Sequence, residues 1–260
     1  MRTAIEYHSD KAADFAEWHE VLERRDYFAS SFAYGRWRIR EALRALLPLP
    51  VPGLHFVDIG CGTGHELALF LAQGYEVTGV EPAEGMRAEA LRLHPELAGR
   101  VLEGSGEALP LADEAADVVL SIEVVRYIVD LARFAREVGR VLRSGGAWFF
   151  TATPPTNWCL HPLLSILRSR GVPLPHVQRL RMFWHSAGLL RRVLSETGFE
   201  METVLPVNYI DFPCLALYRA LPRAGALWAK MLHPAWSWME RHRLLGWAAG
   251  YYVVKAVKRG

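Results

Sequence analysis

Apolar positions follow two different periods along the chain. In AADFAEWHEVLERR, from Ala12 to Arg25, Phe15, Trp18, Val21 and Leu22 recur at helical spacing, with Ser9 and Asp10 placed as an N-cap. A second helix is expected from about Tyr34 to Leu47 through Trp37, Ile39, Leu43, Leu46 and Leu47. The cluster Pro48-Leu49-Pro50-Val51-Pro52-Gly53 ends it and marks a boundary. Beyond that point short β-rich runs alternate with helical ones. Strands are expected over His55–Ile59, Tyr75–Val80, Arg100–Glu103, Asp117–Ile122 and Ala147–Ala152. Helices are expected over Glu66–Gln73, Ala83–Leu93 and Leu131–Leu142, with Gly74 suited to a left-handed C-cap. Strands separated by helices imply a parallel sheet wound on both faces. The last part differs: Asn157–Arg181 is rich in Pro and Leu and irregular, and Ser186–Thr197 reads as a helix. A strand runs from Gly198 to Val204, Phe212–Trp247 is apolar and Trp-containing, and Tyr251–Val257 is a final strand. This divides the chain into segments 1–50, 51–156 and 157–260.

Composition narrows the class. With 260 residues, 51% of them apolar, the chain can bury a sizeable core and is not disordered. No apolar run approaches the ~20 residues of a membrane span, and MRTAIEYHSD lacks the apolar stretch of a secretory signal. Cys61, Cys159 and Cys214 are too scattered for a disulfide frame or a zinc site, so a cytoplasmic protein without a metal centre is the expectation. The net charge of +2 conceals a split: residues 51–156 carry 8 basic and 15 acidic side chains, residues 157–260 carry 14 and 5. Such asymmetry suits an anionic partner for the basic part and a cationic one for the acidic part.

The chemistry concentrates in Phe56-Val57-Asp58-Ile59-Gly60-Cys61-Gly62-Thr63-Gly64, between a strand and a helix. Glycines let the backbone turn sharply and approach a ligand, and the helix behind them offers free N–H groups. The spacing is Gly-x-Gly-x-Gly rather than the dinucleotide Gly-x-Gly-x-x-Gly. Asp58 would repel a pyrophosphate and suits a ligand bearing an ammonium group. Glu81, at the end of the second strand, is placed to bind a ribose diol.

Here the sequence resembles the class I S-adenosylmethionine-dependent methyltransferases, in the branch acting on quinones, lipids and other small molecules. Four stretches carry the resemblance in order over Phe56–Thr153: VDIGCGTG, VTGVEPAEGM, EGSGEALPLADEAADVVLS and EVGRVLRSGGAWFF. The resemblance implies a Rossmann-like, doubly wound α/β fold with a seven-stranded sheet, parallel except for one antiparallel strand. It also implies an N-terminal helical lid and a helical cap inserted before the last strands. S-adenosyl-L-methionine would be the cofactor, released as S-adenosyl-L-homocysteine. Asp58, Gly60, Gly62 and Gly64 would hold the methionine part, Glu81 the ribose, and Met86, Ser105, Gly106 and Glu107 would surround the adenine, with Cys61, Pro82 and Ser121 also binding the cofactor. Tyr7 resembles an aromatic that closes over the cofactor in relatives. Two departures stand out. Gly104-Ser105-Gly106 replaces the frequent Gly-Asp-Ala, and Tyr127 stands where a His is common after the fourth strand.

Methyl transfer needs a nucleophile held in line with the C–S bond, and a hydroxyl acceptor also needs a base. Candidates are Tyr127, His161, His176 and His185. Methylation of base amino groups in nucleic acids often uses a Pro-Pro motif after the fourth strand. Pro154-Pro155 follows the fifth, so nucleic acid is disfavoured as the substrate. Between Phe212 and Trp247, Trp228, Trp236, Trp238 and Trp247 are interspersed with Arg219, Arg223, Lys230, Arg241 and Arg243. As a helix this would present an apolar face with a basic rim, suiting a lipophilic or anionic small molecule or peripheral contact with an anionic membrane. The alternatives are an RNA or protein methyltransferase and a catalytically silent module of the same fold.

Overall fold

The computed structural model describes residues 3–155, 182–209 and 221–260. Its core is a seven-stranded sheet of β1 (His55–Ile59), β2 (Glu76–Glu81), β3 (Val101–Glu103), β4 (Ala116–Ser121), β5 (Leu142–Ala152), β6 (Phe199–Val207) and β7 (Tyr251–Lys258). The order is β3-β2-β1-β4-β5-β7-β6, and β7 runs antiparallel to both neighbours while the other paired strands are parallel. The single reversed strand expected from the resemblance is therefore β7.

Helices cover both faces because the central strands are apolar on both. On one side α6 (Leu131–Val141) and α7 (Ala187–Glu196) pack Phe134, Val138, Leu190 and Leu194 against Trp148, Phe150 and Phe199. On the other, α3 (Ser31–Arg44) and α4 (His65–Ala72) pack Ile39, Leu43, Leu67 and Phe70 against Phe56, Phe149 and Val253. Removing the fully buried Trp148 ring would cost about 3–5 kcal/mol. The remaining helices are α1 (Ala4–Asp10), α2 (Ala12–Glu23), α5 (Glu84–Leu93) and α8 (Pro222–Arg241).

Two elements differ from the sequence reading. Ser9 and Asp10 do not cap α2 but lie inside α1, which Thr3 caps through its hydroxyl while Glu6 reaches back to the Thr3 N–H. The fifth strand begins at Leu142, not Ala147, because Leu142 already pairs with Ala116 before a register shift. The helix expected over Ser186–Thr197 forms as α7, capped by Ser186, whose hydroxyl accepts the Leu189 N–H at 3.1 Å.

The N-terminal helices and α8 form one body. Tyr34 on α3 lies within 2.9 Å of His233 Nδ1 on α8, and Arg38 ion-pairs with the buried Glu240. Tyr34, Trp236, Tyr209, Ala229 and Ala249 make a small separate core. Side chains of α1, α2 and α3 meet the C-terminal ends of β1 and β4. The chain reverses its strand order between these two strands, the place where open α/β sheets bind ligands.

Candidate active site

The turn after β1 is built on glycines in left-handed conformation, with φ +73° at Gly60, +55° at Gly62 and +75° at Gly64. A Cβ on Gly60 would come within 2.4 Å of Val124, whereas one on Gly62 would meet nothing within 4 Å. The Gly60 amide donates to Val80 O at 2.7 Å, tying the loop to β2. Glu81 at the end of β2 answers with both carboxylate oxygens, which accept the Gly62 N–H at 3.0 Å and the Ala83 N–H at 2.9 Å. Burial nevertheless raises the Glu81 carboxyl above its ordinary range.

A cavity of about 510 Å³ opens over this loop. Its floor is Asp58, Gly60, Cys61, Gly62 and Thr63; one side is Glu81, Pro82, Met86, Ser105, Gly106 and Glu107. The opposite side is aromatic and comes from the lid and the turn after β4: His8, Phe15, Trp18, Phe32, Arg36, Glu123, Tyr127 and Ile128. Asp58 is buried with no hydrogen bond or ion pair among the described residues, and its carboxyl is raised well above the usual carboxylate range by burial and by Glu66. The Thr63 hydroxyl is likewise buried without a partner.

Charges around the cavity are paired across segments. Glu123 takes the left-handed conformation at φ +61° and receives Arg36 at 3.0 Å, Arg126 at 2.9 Å and the Tyr251 hydroxyl at 2.6 Å. Burial works to raise the Glu123 carboxyl, but the two guanidinium groups and the Tyr251 hydroxyl overcome it and hold it below the usual range. Arg40 likewise binds Glu66 at 2.9 Å.

Most residues singled out in the sequence converge here. Asp58, Gly60, Cys61, Gly62, Glu81, Pro82, Met86, Ser105, Gly106, Glu107 and Tyr127 all line the cavity. Four residues do not. Gly64 sits one step below as the left-handed N-cap of α4. The Ser121 hydroxyl is buried and accepts the Trp148 indole N–H at 2.8 Å. Tyr7 stands edge-on to His8, and it is His8 that reaches the cavity. His185 is buried, its amide donating to Thr153 O at 2.9 Å. His161 and His176 lie outside the described residues. The sequence reading missed Arg36 and His8. A Thr-x-x-Glu capping box at Thr3–Glu6 was the signal that would have revealed α1 and placed His8 on it.

Comparison with known proteins accords with this geometry. Residues 57–150 match the protein family described as "Methyltransferase domain". Over that span the chain is similar to the class I S-adenosylmethionine-dependent methyltransferases. It is 30% identical over 154 residues to the ubiquinone/menaquinone biosynthesis C-methyltransferase UbiE of Rubrivivax gelatinosus, covering 59% of this chain and 61% of the relative. It is 39% identical over 110 residues to the malonyl-[acyl-carrier protein] O-methyltransferase of Pectobacterium atrosepticum, covering 42% of each. The chain thus spans less than two thirds of the length of these curated relatives. Among solved structures, geranyl diphosphate C-methyltransferase from Streptomyces coelicolor, in complex with S-adenosyl-L-homocysteine, shares the fold at a TM-score of 0.57. It is 19% identical, and the match covers 85% of this chain and 78% of that one.

Proposed function

We propose that the cavity binds S-adenosyl-L-methionine and that the chain transfers its methyl group to a lipophilic small molecule. The juxtaposition in one cavity of two unlike walls carries this reading, one polar and glycine-built, the other aromatic. Asp58 would take the ammonium group and Arg36 the carboxylate of the methionine part, over the Gly60–Gly62 backbone. Each Glu81 oxygen accepts one amide and keeps a lone pair free for a ribose hydroxyl. Pro82 and Met86, with Ser105, Gly106 and Glu107, would enclose the adenine. When bound, the cofactor supplies a methyl group on a cationic sulfur, an electrophile that needs only a well-aimed nucleophile. The residues of this chain orient that nucleophile and exclude water under the lid.

Phe15, Trp18, Phe32 and Ile128 support a lipophilic acceptor. So do the relatives named as methyltransferases of quinone biosynthesis. Peripheral membrane contact from the cytoplasmic side finds support on α8. Leu227, Trp228, Met231 and Trp238 form an exposed stripe, flanked by exposed Arg223, Lys230 and Arg241, while the only acid of the helix, Glu240, is buried against Arg38. Among the described residues no helix is long and apolar enough to cross a membrane.

Calorimetry with S-adenosyl-L-homocysteine tests the cofactor site: binding is expected, and Glu81→Ala or Gly62→Val should abolish it. Incubation with methyl-tritiated cofactor and a cell extract should then place label in the organic phase. Label in RNA or protein instead would overturn the small-molecule reading. Flotation with anionic vesicles tests the α8 surface.

A further inference from the structure

The residue common after the fourth strand in the resembling family is a histidine, and this chain has Tyr127 there. An imidazole nevertheless reaches the same place from another element. His8, on α1, lies edge-on to the Tyr127 ring with centroids 5.2 Å apart, and both side chains line the cavity that holds Gly60, Glu81 and Met86. Three contacts fix the imidazole. Its Nδ1 lies 2.7 Å from Ala4 O, a carbonyl that can only accept, so Nδ1 carries the proton and Nε2 the lone pair. Phe15 packs against the ring at 5.3 Å and Tyr7 at 5.4 Å. The helix itself is fastened to α5 through the Gly85 N–H and Ser9 Oγ, 2.8 Å apart. Nε2 has no hydrogen-bond partner among the described residues, and neither has the Tyr127 hydroxyl.

Resting on the reading of this cavity as a methyl-transfer site, we propose that His8 Nε2 is the general base and that the acceptor is a hydroxyl compound. The acceptor O–H gives its proton to Nε2 as its oxygen forms the bond to the methyl carbon. The methyl–sulfur bond breaks with its electron pair left on sulfur, and the imidazolium later releases the proton to water. The charged and titratable groups facing His8 are Tyr7 on its own helix and Glu123, Arg126 and Tyr127 on the turn after β4. Burial lowers the imidazole below 6.5, so the ring is neutral and ready to accept a proton at pH 7.

The test uses the full chain, methyl-tritiated cofactor and an organic extract of cells. His8→Gln and His8→Asn should reduce label transfer by about 10²–10⁴-fold, the range for loss of a general base. Both should leave affinity for S-adenosyl-L-homocysteine within about threefold by calorimetry. Nitrogen-15 NMR of the labelled protein should show His8 as the Nδ1–H tautomer, titrating below pH 6.5. His185→Gln serves as the comparison and should keep transfer within about threefold. Transfer by His8→Gln within threefold of the unaltered chain, or an Nε2–H tautomer at His8, would overturn the proposal; an amine acceptor, needing no base, would give the first result. Absence of homocysteine-product binding to the unaltered chain would instead overturn the cofactor reading, so the two failures are distinguishable.

Discussion

The Ser9 hydroxyl accepts the backbone N–H of Gly85 at 2.8 Å, fastening the first lid helix to the first turn of α5, just beyond Glu81. A Cβ at position 85 would lie 2.2 Å from Ser9 O and 2.8 Å from Ser9 Oγ, so only glycine permits this approach.

Gly85→Ala should therefore push α1 away. Because α1 contributes no buried residue, the fold should lose little, and melting should shift by no more than a few degrees. Affinity for S-adenosyl-L-homocysteine should fall by about tenfold, or ~1.4 kcal/mol, by calorimetry. Proteolytic cleavage near residues 4–10 should accelerate in parallel.

Asp58→Asn should separate stability from binding. A buried carboxyl raised above its unfolded value favours folding when protonated, and that contribution is lost as pH rises through the folded value. At neutral pH the unpaired Asp58 therefore destabilises the ligand-free protein. The amide variant should melt higher without ligand, yet bind the cofactor ~10–100-fold more weakly for want of a charged hydrogen bond. Wild-type affinity should also fall as the pH is lowered.

The lid should loosen in acid. His19 on α2 and His65 on α4 pack with tilted rings, centroids 4.9 Å apart, and burial, with Arg36 near His19 and Arg40 near His65, lowers them from 6.5 to about 3 and about 4. Values depressed on folding mean that stability is full above pH 6.5 and is lost as pH falls from there toward pH 4. Each group can contribute up to about 1.4 kcal/mol per pH unit. Glu23, 3.4 Å from His65 Nε2, offsets part of the loss once His65 is charged. The melting temperature measured across this window should drop, and His65→Asn should flatten the curve.

Arg38→Met should be among the most destabilising single changes. Among the described residues it leaves the buried Glu240 with the Asn208 N–H at 2.9 Å as its one partner, and breaking a buried pair costs about 3–5 kcal/mol. Denaturant melts should show it. Glu240→Gln, which removes the charge as well as the pair, should cost less.

The sheet was legible because its strands are apolar on both faces and its helices are not, a difference of period visible without contacts. The glycine loop was legible because Gly60, Gly62 and Asp58 occupy adjacent positions whose chemistry is local. What the sequence could not display is pairing at a distance. The excess of acid over residues 51–156 reads as an invitation to a cationic ligand. In the fold, Glu66 and Glu123 are answered by Arg40 and Arg36 of the lid, leaving Asp58 and Glu81 as buried carboxylates with no ion pair among the described residues, and Asp58 alone of the two without a hydrogen bond. His8 was hidden for a similar reason: its meeting with Tyr127 spans most of the cofactor domain. Ser121 looked like a cavity residue from its place at a strand end, but the indole of Trp148 on β5 claims its hydroxyl.

Arg36, Arg38 and Arg40 leave α3 in alternation, toward the turn after β4, toward α8 and toward α4. The third of these partners to be synthesised, Glu240, is 202 residues downstream of Arg38. On the ribosome α3 can therefore dock on Glu66 and Glu123 long before its opposite face is covered. During that interval Tyr34 and Trp37 stand exposed beside an unanswered guanidinium. A late-made helix thus seals an early-made one, and a truncation that removes Glu240 would be felt at the lid.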